Sequence, residues 1–481
     1  MKKMKLKDFV NKINKYIVGT KFEDNTFIVG GAVRDFVMNS ISTGKEIESN
    51  DFDLCVRNGL HAYDLCKMIQ EKMNQKNIDS TVVNFEDFGS IRFHSNELSF
   101  EITDLRKETY EKNSRKPKIT LGKNIEDDAK RRDFTINAIY YNVSDNTFID
   151  PLNGMSNIKN KILKSCDEPN KTFYEDPLRI LRAIRFSKRF NFEISKNTLS
   201  SMLDNGDRLK IVSIERIKDE LKKMIYQIEK ENGTAQSRFE LLSMLDSIDF
   251  FKNFIPELEE LKYIPFNTIH HTCNEFIHSL DVFLKIETIL IPEDLHFEVF
   301  IAALLHDVGK INTTRIDRET LIVSSKGHDI YGAELSKEIL KRLKFSNKEI
   351  DLISKIIESH MFFKQFNSND EIKEKTLRKF AKRFNFKEEL ICCAIVVIVA
   401  DEKSHKLTSN IDFYKLLDDL DEICEESRQI KCPVNGKDLI KELNLKEGKI
   451  IGVLLKLAED YFYANKKLTK EELITKLKRF L

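Results

Sequence analysis

Asp51 and Asp53 flank a single apolar residue, Phe52, and on a strand, where side chains alternate, residues two apart face the same side. Both carboxylates can then reach one metal cluster. Hard divalent cations such as Mg²⁺ prefer oxygen ligands, and phosphoryl transfer commonly uses two of them roughly 3.5–4 Å apart, one activating the attacking hydroxyl and one steadying the leaving group. An Asp-x-Asp pair on its own is more often a solvated loop. Upstream, however, an apolar run enters Gly30-Gly31 and then a helical stretch with Arg34 in its first turn. Glycines let backbone approach phosphate oxygens, a helix start offers free N–H groups, and Arg34 adds a fixed cation.

Three more clusters carry chemistry. Arg131-Arg132-Asp133 sets adjacent guanidiniums beside an acid, which suits a triphosphate that must be held while a hydroxyl is checked. Glu175-Asp176-Pro177 reads as a helix start, and Arg179, Arg182 and Arg185 recur every three residues behind it as a basic ridge. Far downstream, His306 and Asp307 are adjacent, His278 precedes them, and His328, His360 and Asp401 follow. Imidazole plus carboxylate suits a Mn-, Fe-, Ni- or Mg-type centre with room for a bridging water. Any one of these histidines alone reads as a satisfied helix residue.

Taken together, the Gly30-Gly31-Arg34 turn, the Asp51/Asp53 pair and the run from Arg131 to Ala138 resemble motifs of the polymerase-β nucleotidyltransferase superfamily. The resemblance is to class II transfer RNA nucleotidyltransferases and bacterial poly(A) polymerases. It implies that Asp51 and Asp53 hold catalytic Mg²⁺, and that Gly30, Gly31, Arg34, Arg132 and Asp133 bind the incoming nucleotide. It further implies that Asp176 and Arg179 act as a protein template, reading the base edge of CTP and ATP and rejecting UTP and GTP, with Arg182 and Arg185 on the triphosphate or the priming RNA end. A carboxylate can accept from an exocyclic amine and Arg can donate to a ring nitrogen or carbonyl.

By the same resemblance Asp150-Pro151-Leu152-Asn153-Gly154 is a hinge, and Ser213 to Leu221 is a buttressing helix to which no chemistry is assigned. Arg106 to Lys130, mixed in charge and loose in pattern, matches the flexible loop of CCA-adding enzymes, including the basic step Arg115-Lys116-Pro117. It is not shortened, which favours complete CCA addition. One departure is Asn39 where the family has a helix-stopping glycine; Asn tolerates the left-handed conformation, and the polar residues 40–50 read as a loop insertion. His278, His306, Asp307, His328, His360 and Asp401, in that order, resemble the metal ligands of the HD phosphohydrolase superfamily, whose ligands come from separate helices.

The elements that must position these residues follow from pattern and composition. Short β-rich pieces at 26–31, 51–56, 88–93 and 98–105 alternate with helical stretches, and beyond about Pro169 the sequence turns to Lys/Glu-rich segments with apolar residues at three-to-four spacing. The fold class expected is α+β: an N-terminal mixed α/β nucleotidyltransferase head, then mainly α-helical neck, HD and tail domains. The seams fall near 168, 262 and 410, giving a head at 1–168, a neck at 169–262, an HD domain at 263–410 and a tail at 411–481. A chain of 481 residues exceeds what one core supports.

Composition excludes little. Lys plus Arg number 79 against 78 for Asp plus Glu, so any nucleic-acid surface must come from local clustering. The eight cysteines show no Cys-x-x-Cys spacing, which argues for reduced thiols and a cytoplasmic location. The N-terminal stretch lacks the apolar run of a signal peptide, and the apolar run Leu390–Ala400 is too short for a bilayer and reads as a buried helix. No membrane partner is expected.

The function expected is addition of CMP, CMP and AMP from CTP and ATP to the 3′ end of transfer RNA, with a metal-dependent phosphohydrolase activity in the HD domain. The alternatives are a poly(A) polymerase, a protein acting mainly as an HD phosphohydrolase, and a non-catalytic RNA-binding protein. Residues 411–481 suit an RNA-contacting or packing tail, or plain solvated helices.

Overall fold

The computed structural model describes residues 3–42, 48–85, 90–110, 117–122, 124–266, 273–364, 366, 372–405, 412–429 and 432–481. The chain forms two compact units, residues 1–256 and 257–481. Among the described residues no helix is long and apolar enough to cross a membrane.

In the first unit, helix α1 (Leu6–Ile17) precedes strand β1 (Thr26–Val29), helix α2 (Gly31–Ser42), strand β2 (Asp53–Val56) and helix α3 (Ala62–Asn74). Strands β3 (Ser80–Phe85), β4 (Ser90–Ser95) and β5 (Ser99–Asp104) follow, then a hairpin of β6 (Arg106–Tyr110) and β7 (Pro117–Leu121), helix α4 (Ile125–Lys130), and strands β8 (Tyr140–Asn142) and β9 (Phe148–Ile149). The main sheet runs β9-β8-β1-β2-β5-β4-β3. Its pairs are antiparallel except β2 with β5, which sets Asp53 opposite Glu101.

The all-apolar core of β1 is fully buried at the middle of this sheet, as a central strand with both neighbours paired requires. Phe52 anchors the aspartate pair: it is buried, and Phe9 of α1 stacks on it at 4.0 Å between ring centroids. That contact fixes the local backbone in a way the bare Asp-x-Asp pattern does not.

Beyond the sheet the first unit is mainly helical, including α5 (Pro169–Glu175), α6 (Leu178–Phe190) and α7 (Ile214–Asn232), with a short parallel pair at 162–163 and 193–194. The second unit is almost wholly helical. It contains α8 (Glu275–Leu284), α9 (His296–Leu305), α10 (His328–Arg342), α11 (Asn347–Ser359) and α12 (Glu388–Ser404), with one two-stranded ribbon at 315–316 and 323–324. The apolar run Leu390–Ala400 lies inside α12 and most of it is buried. Residues 434–477 close around a separate apolar cluster that includes Leu439, Leu454, Ala458 and Leu473. The α+β class with a helical remainder is what the alternating and three-to-four patterns predict.

Three local expectations are corrected. The strand expected at 51–56 starts only at Asp53, because Ser49 and Asp51 close a turn instead: Asp51 N–H donates to Ser49 Oγ at 3.2 Å. Asn39 does not stop α2, which continues to Ser42 with Asn39 Nδ2 donating to Asp35 O at 2.6 Å. The stretch read as a loose loop is in its described part the β-hairpin of β6 and β7, whose antiparallel register sets Arg106 opposite Leu121 and Tyr110 opposite Pro117, followed by α4; Arg115 and Lys116, like residues 43–47 of the expected insertion and 88–89 of an expected strand, lie outside the described residues. In the basic ridge on α6, Arg179 and Arg185 are both buried.

Candidate functional site

The first candidate site is a cavity of about 610 Å³ in the first unit, within the roughly 300–1,000 Å³ typical of ligand pockets. Nine arginines and five aspartates line it, a surplus of fixed cations that suits a polyanion such as a triphosphate. Gly30 shapes one wall. Its φ is +84°, and a Cβ there would lie 2.8 Å from Asp53 Oδ2, so only glycine permits both the turn and the close approach to the acid.

Asp53 is half-buried at the start of β2 and Asp51 is exposed just before it. Burial, the neighbouring Asp51 and the facing Glu101 push the Asp53 carboxyl up to about 6, although Arg132 pulls it down. Two carboxylates crowded at one rim are relieved by a shared divalent cation, so the donor set fits one. A divalent cation held there would compete with the proton for Asp53, so its apparent affinity would fall as pH drops through about 6, by up to about tenfold per pH unit. Activity titrated with metal at pH 5, 6, 7 and 8 checks this. The metal needed for half-maximal rate rises on the acid side and levels off above pH 7; a pH-independent requirement contradicts the assignment.

The arginine-rich side of the cavity is ordered by ion pairs. Arg34, buried in the first turn of α2, donates to Asn137 Oδ1 at 2.7 Å and pairs with Asp35 at 2.7 Å. Its guanidinium also lies 4.6 Å from the Phe190 ring centroid. Asp133 receives Arg182 Nη2 at 2.6 Å, Asn137 Nδ2 at 3.0 Å and the Phe134 N–H at 2.8 Å. Burial alone would raise its pKa, but Arg182 and these donors overcome it and hold the carboxyl near about 2. Arg132 is clamped by Asp128 at 3.0 Å and by the Tyr140 hydroxyl at 3.1 Å.

The residues expected to read the base are brought into the same cavity. Asp176 caps α6 by accepting the Leu178 N–H at 3.3 Å. Arg179 donates to the backbone oxygens of Arg131 at 2.5 Å and Thr172 at 3.4 Å, contacts that fix its guanidinium plane. Arg185 is tied to buried Glu220 of α7 at 2.7 Å, so its charge is largely spent inside the unit. Within the expected hinge, Asp150 accepts the N–H of Gly154 at 2.7 Å and of Met155 at 2.8 Å.

One residue of this cavity escaped the sequence reading. Arg216, on the helix assigned no chemistry, lines the cavity 3.7 Å from Asp176. Glu101 is set beside Asp53 by the parallel β2–β5 pairing. Asp104, the other acid of β5, is instead used to cap α3, accepting the Ala62 N–H at 2.5 Å and lying 3.0 Å from His61 Nδ1. Only strand pairing separates the two acids; their spacing in the sequence does not.

The second candidate site gathers all six expected histidines and aspartates in the second unit. His278 comes from α8, His306-Asp307 from the end of α9, His328 from the first residue of α10, His360 from the end of α11 and Asp401 from α12. Gly309 permits the convergence, since a Cβ there would meet His328 O at 2.0 Å and Gly332 N at 2.6 Å. Ligand atoms of His278, His306 and Asp401 lie within 4.8 Å of one another, as do those of Asp307, His328 and His360.

The hydrogen bonds show why these residues fit a metal. Nδ1 of His306, His328 and His360 each donates to a backbone carbonyl three residues earlier, at 2.8, 2.7 and 2.7 Å. That tautomer leaves the Nε2 lone pairs pointing inward, and Nε2 of His328 faces Nε2 of His360 at 3.1 Å. Two acceptors face each other without a proton between them, an arrangement a cation resolves. Burial would raise Asp307, but His306 and Lys310 hold it well below the usual carboxylate range; Asp401 is held down likewise, chiefly by Lys364 against its burial. His405, four residues after Asp401 on the same helix face, also reaches it at 3.0 Å and was not among the expected ligands.

Residues 26–164 match the poly A polymerase head domain, 191–262 the probable RNA and SrmB-binding site of polymerase A, and 276–404 the HD domain. The chain is 30% identical over 353 residues to an A-adding tRNA nucleotidyltransferase of Deinococcus radiodurans, covering 71% of this chain and 76% of that protein. It is 26% identical over 460 residues to a CCA-adding enzyme of Ligilactobacillus salivarius, covering 95% and 92%. In fold it resembles the CCA-adding enzyme of Bacillus stearothermophilus crystallised with CTP, with a TM-score of 0.62 at 19% identity over 99% of this chain and 98% of that one.

Proposed function

Because this chain belongs to the transfer RNA nucleotidyltransferases, we propose that it adds the CCA sequence to the 3′ end of transfer RNA from CTP and ATP. The observation that carries the reading is the single cavity in which the aspartate pair, the arginine-rich wall and Asp176/Arg179 meet. Mg²⁺ held by Asp51 and Asp53 would supply the charge that activates the priming hydroxyl and steadies the leaving pyrophosphate. Arg34, Arg132 and Arg182 face the triphosphate, Gly30 and Gly31 let backbone approach it, and Asp133 orients Arg182. Asp176 and Arg179 then read the base edge, and Arg185, tied to Glu220, steadies the helix that presents them.

In this reading residues 1–168 form the head, 169–262 the neck that carries the template, 263–410 the HD domain and 411–481 the tail. The HD centre, with His278, His306, Asp307, His328, His360 and Asp401 as ligands of a transition metal such as Mn, Fe or Ni, hydrolyses phosphate esters of small nucleotides or RNA ends. The eight cysteines, all free, suit the reducing cytoplasm. A second reading, addition of the terminal A alone, is favoured by the Deinococcus relative, which is named for that activity.

Asp176→Ala or Arg179→Ala tests the template. Each base contact contributes about 1–3 kcal/mol of selectivity, so discrimination against UTP and GTP falls about tenfold to a hundredfold while binding of the triphosphate moiety changes less. The readout is kcat/KM for each of the four triphosphates. If UTP and GTP remain as strongly rejected as before, these two residues do not form the template.

A further inference from the structure

The six buried histidine and aspartate groups of the HD centre do not exhaust the polar side chains that touch it. Two lysines also reach its carboxylates, and they differ in kind. Lys310 is enclosed, 7% exposed, and sits between Asp307 and Glu275 with both contacts at 2.8 Å. It is a charge balanced inside the fold, with a second carboxylate devoted to it.

Lys364 lies at the outer edge. Its side chain is 23% exposed where that of Asp401, which it contacts at 3.0 Å, is 1% exposed. Its second partner is Nε2 of His405, at 2.8 Å, and His405 reaches the other oxygen of Asp401 at 3.0 Å. Lys364 follows the end of α11 and His405 the end of α12, so the mouth of the centre is made by two basic side chains from separate elements. Asp401 and His405 occupy two directions of an ammonium that has three N–H donors.

We propose that Lys364, backed by His405, is the subsite that takes the phosphate group of the ester cleaved at the HD centre. The inference rests on reading that centre as a metal-dependent phosphohydrolase. Its logic is charge balance. A divalent cation shared by Asp307 and Asp401 supplies the positive charge those carboxylates otherwise draw from the lysines, while Lys310 remains matched by Glu275. The charge of Lys364 is then in surplus, solvent-facing and beside the cation, which is where the phosphoryl oxygens of a bound ester must lie. Lysine suits this role as a compact point charge on a flexible stem, able to leave Asp401 for an incoming anion without losing its own charge.

The test uses the full chain loaded with Mn²⁺ and inorganic phosphate as the probe. Free Mn²⁺ is measured by electron paramagnetic resonance and phosphate binding by the line broadening of its ³¹P signal, so neither readout depends on turnover. The expected result is that Lys364→Ala keeps the Mn²⁺ stoichiometry and melting temperature of the wild type but binds phosphate at least about tenfold more weakly, and that Lys364→Arg restores part of that affinity. Phosphate bound equally well by Lys364→Ala overturns the subsite and leaves the phosphohydrolase reading standing. Loss of Mn²⁺ from Lys364→Ala also overturns it, because the lysine then supports the metal and not the anion. A wild type that takes up no Mn²⁺, or takes it up and binds no phosphate, overturns both.

Discussion

Asp53→Ala is expected to lower the rate of nucleotide addition by on the order of a thousandfold or more, with transfer RNA affinity within about twofold of wild type. The carboxylate sits where three influences meet: the Asp51 carboxylate, Glu101 on the paired strand, and Gly30, whose missing Cβ leaves room for Asp53 Oδ2. Removing it leaves the arginine wall intact, so the loss falls on kcat rather than on binding. Asp51→Ala acts in the same direction. Single-turnover incorporation, measured beside filter binding of transfer RNA, separates the two quantities, and comparable rates for mutant and wild type would refute the metal assignment.

A second large effect is expected at the other centre. Asp307→Ala removes a carboxylate that lies 3.2 Å from His306 Nε2, 3.3 Å from His328 Nε2 and 2.8 Å from Lys310. Without it Lys310 keeps one acid, Glu275, and His328 and His360 lose the carboxylate grouped with them, leaving Asp401 as the one acid of the six-residue set. Bound metal and hydrolysis of phosphate esters are lost together, and the melting temperature falls, since breaking one arm of a buried ion pair costs about 3–5 kcal/mol. Asp307→Asn keeps the shape and separates the effects: metal and hydrolysis are lost with a smaller drop in melting temperature. Nucleotide addition survives in both variants, because Asp51 and Asp53 belong to the other compact unit. Retention of metal and hydrolysis by Asp307→Asn would remove Asp307 from the ligand set.

What could be read from the residues was what depends on local pattern. The apolar run into Gly30-Gly31 foretold the strand and the helix after it, and the order of histidines and aspartates foretold a convergence that needs five helices. What could not be read depends on partners far along the chain. The α6 arginines read as one basic ridge until Glu220 of α7 and the carbonyl of Arg131 claim two of them. Glu101 and Asp104 are equivalent in the sequence and are separated only by the strand pairing that puts one opposite Asp53 and by the helix cap that consumes the other.

Some signals were present and passed over. His405 is four residues from Asp401 and Lys310 three from Asp307, spacings that place each pair on one helical face or turn. Arg216 stood in a motif set aside as a buttress, though a basic side chain on a helix packed beside α6 was a candidate for the same cavity. Asn39 shows the opposite error: tolerance of a left-handed conformation is not a requirement for it, and with its amide bonded to Asp35 O the helix runs on.

The most direct measurement is the length and sequence of the product formed on a transfer RNA that lacks its 3′-terminal CCA, with CTP and ATP supplied singly and together. CCA synthesis predicts two C residues with CTP alone, C-C-A and no further extension with both, and no addition from UTP or GTP. An enzyme that leaves this substrate untouched but adds a single A to transfer RNA already ending in CC would contradict full CCA synthesis in favour of A addition, and long tails from ATP alone would replace it with poly(A) synthesis.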